Sequence, residues 1–154
     1  MKLWDKGISI DKTIEAFTVG DDRDIDVHIA KYDLQASLAH AKMLAKIGVL
    51  ENNELLQIER AIEELQNEVA ANTFKIEDDF EDVHSKIEFE LTQRLGNAGK
   101  KIHTARSRND QVLVALQLYY KDNLTTIQKQ VKTIFDTLLA LAEQHKKELL
   151  PGYT

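Results

Sequence analysis

Cysteine is absent from this chain of 154 residues, which excludes a disulfide framework and any thiol chemistry and fits a reducing compartment. Proline occurs once and glycine six times, so periodic stretches can run as helices with few breaks. A basic excess is missing too. The formal net charge is −6, the wrong sign for a nucleic-acid binder. The basic cluster of Lys100, Lys101, Arg106 and Arg108 has no interleaved aromatics to stack on bases. Nor is there a long hydrophobic run. No segment is long and apolar enough to span a bilayer, and Met1-Lys2-Leu3-Trp4-Asp5 lacks the apolar core of a signal peptide.

What is present is helical periodicity, and it predicts an all-α chain. Residues 1–20 read as an irregular arm pinned by Trp4, with at most one short helix near Asp11 to Phe17. After a turn at Gly20-Asp21-Asp22-Arg23, Leu34, Leu38, Ala41 and Leu44 keep the spacing of a helix over 24–47. Gly48 ends it, because glycine enters the left-handed region cheaply, and Val49 closes the apolar contact beyond. Asn52 or Asn53 is expected to cap the next helix, whose stripe is Leu55, Ile58, Ile62, Leu65 and Val69 and whose end is near Ala71. Asn72 to Lys75 reads as a loop. A further helix is predicted over 79–95, with Asp78 and Asp79 at its positive end, Phe80, Val83, Ile87, Leu91 and Leu95 facing the core, and Gly96 as its stop. Asn97 to Lys101 reads as a loop.

The last predicted helix runs from Asn109 to about Leu149, and Pro151-Gly152 terminates it. Leu113, Leu116, Tyr120, Leu124, Ile127, Val131, Ile134, Leu138 and Leu141 recur along it in steps of three and four, a coiled-coil-like seam. Some forty residues at ~1.5 Å each make a rod of roughly 60 Å. A compact globule of this length is only about 40 Å across. A seam that outruns its intrachain cover is an interface, so self-association through residues 112–142 is expected.

Before that helix lies a dense polar stretch, Ile102-His103-Thr104-Ala105-Arg106-Ser107-Arg108-Asn109-Asp110-Gln111. Ser107 with Asp110 three residues later is the spacing of a capping box: the hydroxyl accepts from an early backbone N–H and the carboxylate reaches back. A helix N-terminus carries unpaired N–H groups and positive partial charge, and with Arg106 and Arg108 beside it becomes a seat for a carboxylate or phosphate. On spacing alone, a capped helix with two solvated arginines accounts for the same residues, and Asn109 is then a cap-region residue. Glu81, His84 and Glu88 share a helical face that could hold a metal, but a solvated acidic face is the ordinary reading, and no metal is expected. His28 and His40 lack metal-pair spacing and read as ordinary surface or half-buried histidines.

Arg106-Ser107-Arg108-Asn109-Asp110-Gln111 resembles the signature of the argininosuccinate lyase family, within the fumarase/aspartase superfamily. Other motifs agree with it in order and spacing. Lys2-Leu3-Trp4 is similar to the family's opening, and Glu81-Asp82-Val83-His84 to its acidic-histidine motif. Pro151-Gly152-Tyr153-Thr154 is similar to its Pro-Gly-Tyr-Thr-His motif, ending just before the histidine. The resemblance covers nearly the whole chain. One departure stands out: where the family usually carries a serine three residues after the phenylalanine matching Phe17, this chain has Gly20, and Thr18 is the hydroxyl that would substitute.

The resemblance implies an N-terminal helical domain, residues 1–105, followed by the first long helix of a central helical bundle, residues 106–154. It implies a cytoplasmic homotetramer that uses neither metal nor organic cofactor and has no nucleic-acid or membrane partner. The implied reaction is β-elimination of argininosuccinate to arginine and fumarate: a base takes the Cβ proton beside a carboxylate, charge builds there as an aci-form, and the C–N bond breaks. Asn109, Arg108 and Ser107 would bind the substrate, as would Thr154, in a site belonging to another subunit; Thr104, His84 and Asp82 are second choices. The family's catalytic histidine and serine are expected beyond Thr154. The chain is therefore expected to be the amino-terminal portion of a longer lyase and inactive alone. Adenylosuccinate lyase, aspartase and fumarase share the elimination, and a crystallin-like scaffold would keep the same core without catalysis; the combined motifs favour argininosuccinate lyase.

Overall fold

A computed structural model describes residues 11–149 and 151–152 of the chain. The expectations placed on Lys2-Leu3-Trp4, Tyr153 and Thr154 lie outside the described residues. Among those residues every regular element is helical, as expected. In order they are α1 (Lys12–Val19), α2 (Asp22–Asp26), a 3₁₀ turn (Val27–Ile29), α3 (Ala30–Lys46), α4 (Asn52–Ala70), α5 (Val83–Leu95), α6 (Asn97–Lys101) and α7 (Arg108–His145). The chain divides into two compact units, one up to Leu118 and one from Tyr119 onward.

The core of the first unit forms where α3 packs on α4 and α5 packs on α6, with further contact between α4 and α5 and between α3 and α5. Leu34, Leu44, Ile58, Ile62, Leu65, Ile87 and Leu91 are fully buried there. Removing such a side chain from water stabilises by roughly 1.5–3 kcal/mol. α3 ends as its sequence foretells. Gly48 sits at φ +81°, Val49 N–H donates to the Leu44 carbonyl at 2.9 Å, and Gly48 N–H donates to the Ala45 carbonyl at 3.1 Å. These are the paired bonds of a glycine-terminated helix.

Several boundaries differ from the sequence expectation. The helix expected over 24–47 is broken into α2, the 3₁₀ turn and α3. β-Branched Ile25, Val27 and Ile29 favour helix weakly, and tertiary bonds fix the break. Arg23 Nε donates to the Phe80 carbonyl at 2.7 Å, and Asp26 Oδ2 accepts from Val83 N–H at 3.2 Å. Glu51, not Asn52 or Asn53, caps α4: its backbone is extended, and its N–H donates to Glu54 Oε2 at 2.9 Å in a capping box. α5 starts at Val83 rather than at Asp79, because Asp82 Oδ1 accepts from Ser85 N–H at 2.6 Å and nucleates the first turn there.

Residues 97–101 form the short α6 instead of a loop. It lies so close to α5 that a Cβ built on Gly99 would stand 2.3 Å from the Leu91 carbonyl oxygen. α7 begins at Arg108 and stops at His145, short of Leu149. Its 38 residues correspond to about 57 Å of helix. In the second unit Leu124, Ile127, Val131, Ile134, Phe135, Leu138 and Leu141 are all exposed. Among the described residues no helix is long and apolar enough to cross a membrane.

Candidate active site

The capping box expected of Ser107 and Asp110 forms, whereas Arg106 and Arg108 are part-buried rather than solvated. Ser107 Oγ accepts from Asp110 N–H at 3.2 Å, and Asp110 Oδ2 accepts from Ser107 N–H and from its hydroxyl, both at 2.8 Å. The Ser107 N–H, followed by the Ser107 hydroxyl, holds the Asp110 carboxyl below its usual range. The helix N-terminus is therefore capped from within, and Asn109, next along, is left exposed. Among the described residues no side-chain partner holds the Asn109 amide. Just upstream, Ala105 takes φ +56°, the left-handed region that an L-residue with a Cβ enters at a cost of about 1 kcal/mol. The turn needs support from outside itself.

That support comes from α3 and α5. Arg108 is held at the mouth of α5. Its Nη1 donates to Gln111 Oε1 at 2.9 Å and to Glu88 Oε1 at 3.4 Å, and its Nη2 donates to Ser85 Oγ at 3.3 Å. Its Nε lies 3.7 Å from Asp82 Oδ2. Glu88 Oε1 also meets His103 Nδ1 at 3.0 Å. Arg106 turns toward α3, where its Nη1 donates to Ser37 Oγ at 3.1 Å. Burial pushes the Arg106 guanidinium below the ordinary arginine value, and the charge of Asp33 leads the opposing influences. His40 Nε2 lies 3.0 Å from the Thr104 carbonyl, and its own burial, foremost, pulls the imidazole below the usual histidine range. A cleft of about 490 Å³ opens between α3 and α7, lined in part by His40, Met43, Arg106, Asp110, Gln111 and Val114.

The candidate residues are thus distributed as follows. Ser107, Arg108 and Asp82 come together around the first turn of α7 and the N-terminus of α5. Asn109 and Thr104 are exposed on the same strip. His84 is almost completely buried, its Nδ1 3.0 Å from Asp33 Oδ2 but without the alignment of a hydrogen bond. Thr154 lies outside the described residues. The Thr18 hydroxyl donates to the Ile14 carbonyl of its own helix at 3.0 Å. Sequence reasoning missed Asp33, Ser37 and Ser85. The first two carried a readable signal: they continue the buried spacing Ala30, Leu34, Ala41 and Leu44 of α3, polar groups on a face otherwise committed to the core.

Two arginines, acidic partners and an exposed amide thus gather at the start of α7. The chain belongs to the lyase family, whose profile matches residues 6–154. More particularly, it is similar to argininosuccinate lyases. It is 44% identical over 153 residues to that of Bacteroides fragilis, covering 99% of this chain and 34% of the relative. The Bacteroides thetaiotaomicron enzyme is 45% identical at the same coverage, and that of Thermotoga neapolitana 46% identical with 38% of its length covered. The chain therefore spans about a third of the length of the curated relatives it matches.

Proposed function

We propose that this chain is the amino-terminal part of an argininosuccinate lyase that cleaves argininosuccinate to arginine and fumarate by β-elimination. The observation that carries this is the exposed start of α7, where the Asn109 amide stands beside Ser107 and Arg108, in a chain 44–46% identical to enzymes of that name. The proton to be removed is barely acidic. Catalysis needs hydrogen-bond donors placed where negative charge develops on the neighbouring carboxylate. Asn109 supplies an amide donor and Arg108 a fixed positive charge, while the Ser107 hydroxyl, which donates to Asp110 Oδ2, would exchange that bond to bind the substrate. Asp82 supports that strip through its contact with Arg108; His84, buried against Asp33, is a second choice, Thr104 lies exposed along the strip, and Thr154 would contribute to a site completed by another subunit. The elimination calls for no metal or organic cofactor. A cytoplasmic homotetramer, with residues 106–154 opening its central bundle domain after a helical domain of residues 1–105, goes with this reading.

The test is turnover in the longer chain. Asn109→Ala is expected to lower kcat/KM for argininosuccinate by at least about a hundredfold, the scale of losing one positioned transition-state donor, with fumarate release as the assay. The 154-residue chain alone is expected to release none. Near wild-type turnover in Asn109→Ala removes that residue from the site, and turnover by this chain alone overturns the view that residues outside it are required.

A further inference from the structure

Beneath the strip that presents Asn109 lies one buried carboxylate. Asp33 on α3 is 0% exposed, an expensive place for an anion. Its Oδ1 accepts from the Ser37 hydroxyl at 3.4 Å, and its Oδ2 stands 3.0 Å from His84 Nδ1 on α5. Ser37 in turn accepts from Arg106 Nη1 at 3.1 Å. One carboxylate therefore stands where α3, the first turn of α5 and the residues before α7 meet. The buried side-chain atoms without a hydrogen-bond partner among the described residues are Asp33 Oδ2, His84 Nδ1, Arg106 Nε, Arg106 Nη2 and Gln111 Nε2. All belong to residues around the strip. The charge of Asp33 also acts on Arg106, ahead of those of Glu88 and Asp110. The left-handed turn at Ala105, next to Arg106, is a strained conformation that persists only when its surroundings hold it.

We propose that Asp33 is a positioning residue: through Ser37 and by its charge it holds Arg106, and by direct contact it holds His84, so that it sets the orientation of the strip Arg106 to Asn109. The catalytic consequence rests on the lyase reading above; the structural consequence does not. Asp33→Asn keeps the shape and removes the charge, taking away the first of the acidic groups that act on the Arg106 guanidinium and leaving Glu88 and Asp110. Ser37→Ala cuts the relay alone and is the milder variant.

Two measurements decide it. In this chain, amide hydrogen exchange is expected to quicken selectively over residues 103–110 in Asp33→Asn, and in the same direction in Ser37→Ala, while α4 keeps its protection. Exchange that quickens across α4 equally, or nowhere, shows a carboxylate that serves overall stability or nothing, and overturns the proposal. In the longer chain, Asp33→Asn is expected to reduce kcat by about a hundredfold, the size expected of a misplaced reacting group, with the variant still folded. Combined with Arg106→Gln it should lose little beyond the worse single variant. Independent, multiplying losses overturn the proposal, because a residue that acts through Arg106 has nothing left to act on once Arg106 is gone. A longer chain that does not cleave argininosuccinate at all sinks the lyase reading instead, and the exchange result then judges the bracing on its own.

Discussion

Asp110 shows how much a single side chain at a helix start can carry. Its carboxylate takes both the N–H and the hydroxyl of Ser107 and closes the capping box. Those bonds favour the ionised form, so the folded carboxyl titrates below the ordinary value of 3.8. The unfolded chain therefore takes up the proton at higher pH than the folded one. The contribution is complete above that ordinary value and disappears as pH falls through the lowered one. Asp110→Asn is expected to flatten this part of the acid limb in a plot of melting temperature against pH, leaving the behaviour near neutrality less changed. A limb as steep as in the parent chain contradicts the assignment. The box itself was legible from the spacing of Ser107 and Asp110. The anchoring of Arg108 was not, because Ser85 and Glu88 lie 23 and 20 residues away in sequence. Only packing brings them to the guanidinium.

Among the elements, α6 is where composition misleads most. Asn97-Ala98-Gly99-Lys100-Lys101 has the look of a loop, yet it is a helical turn pressed onto α5. Gly99 permits that approach, because any Cβ would meet the backbone of Leu91 and Thr92 rather than a side chain able to move aside. Gly99→Ala is therefore expected to destabilise the first unit by about 1–3 kcal/mol, the usual scale of overpacking, measured by urea unfolding; the higher helix propensity of alanine works in the opposite direction and is smaller. No loss of stability would mean that α6 can lift off α5 freely. α4 gives the complementary lesson. Its stripe and length are plain in the sequence, whereas the choice of Glu51 over two adjacent asparagines as cap depends on which backbone unit is extended, a property of the chain path leading in from α3.

For the molecule as a whole, the exposed apolar residues of α7 set the strongest expectation. Leu124 and Leu138 are 63% and 61% exposed, in line with Ile127, Val131 and Ile134. Burying a leucine fully is worth roughly 1.5–3 kcal/mol, so a seam of such residues has a large incentive to find cover. Self-association through residues 112–142 is the expected outcome, read by light scattering on a sizing column at micromolar concentration. Leu124→Glu together with Leu138→Glu should return the chain to a monomer. A monomeric parent chain, or an oligomer indifferent to both substitutions, rules out this seam.

The helical class, the glycine stop after α3, the capping box before α7 and the apolar period along it could all be read from residues a few positions apart. Each is set by local sterics, local hydrogen bonds or a repeat of three and four. The family resemblance was equally readable, since it rests on ordered runs of residues and agrees with the matched lyase profile. What waited for the fold was every pairing across long stretches of chain: Arg23 breaking the helix ahead of α3, Gly99 beneath Leu91, His84 turned inward to Asp33, and Arg106 reaching Ser37. Local pattern states that a polar residue sits on a buried face; the packing of one helix on another chooses its partner.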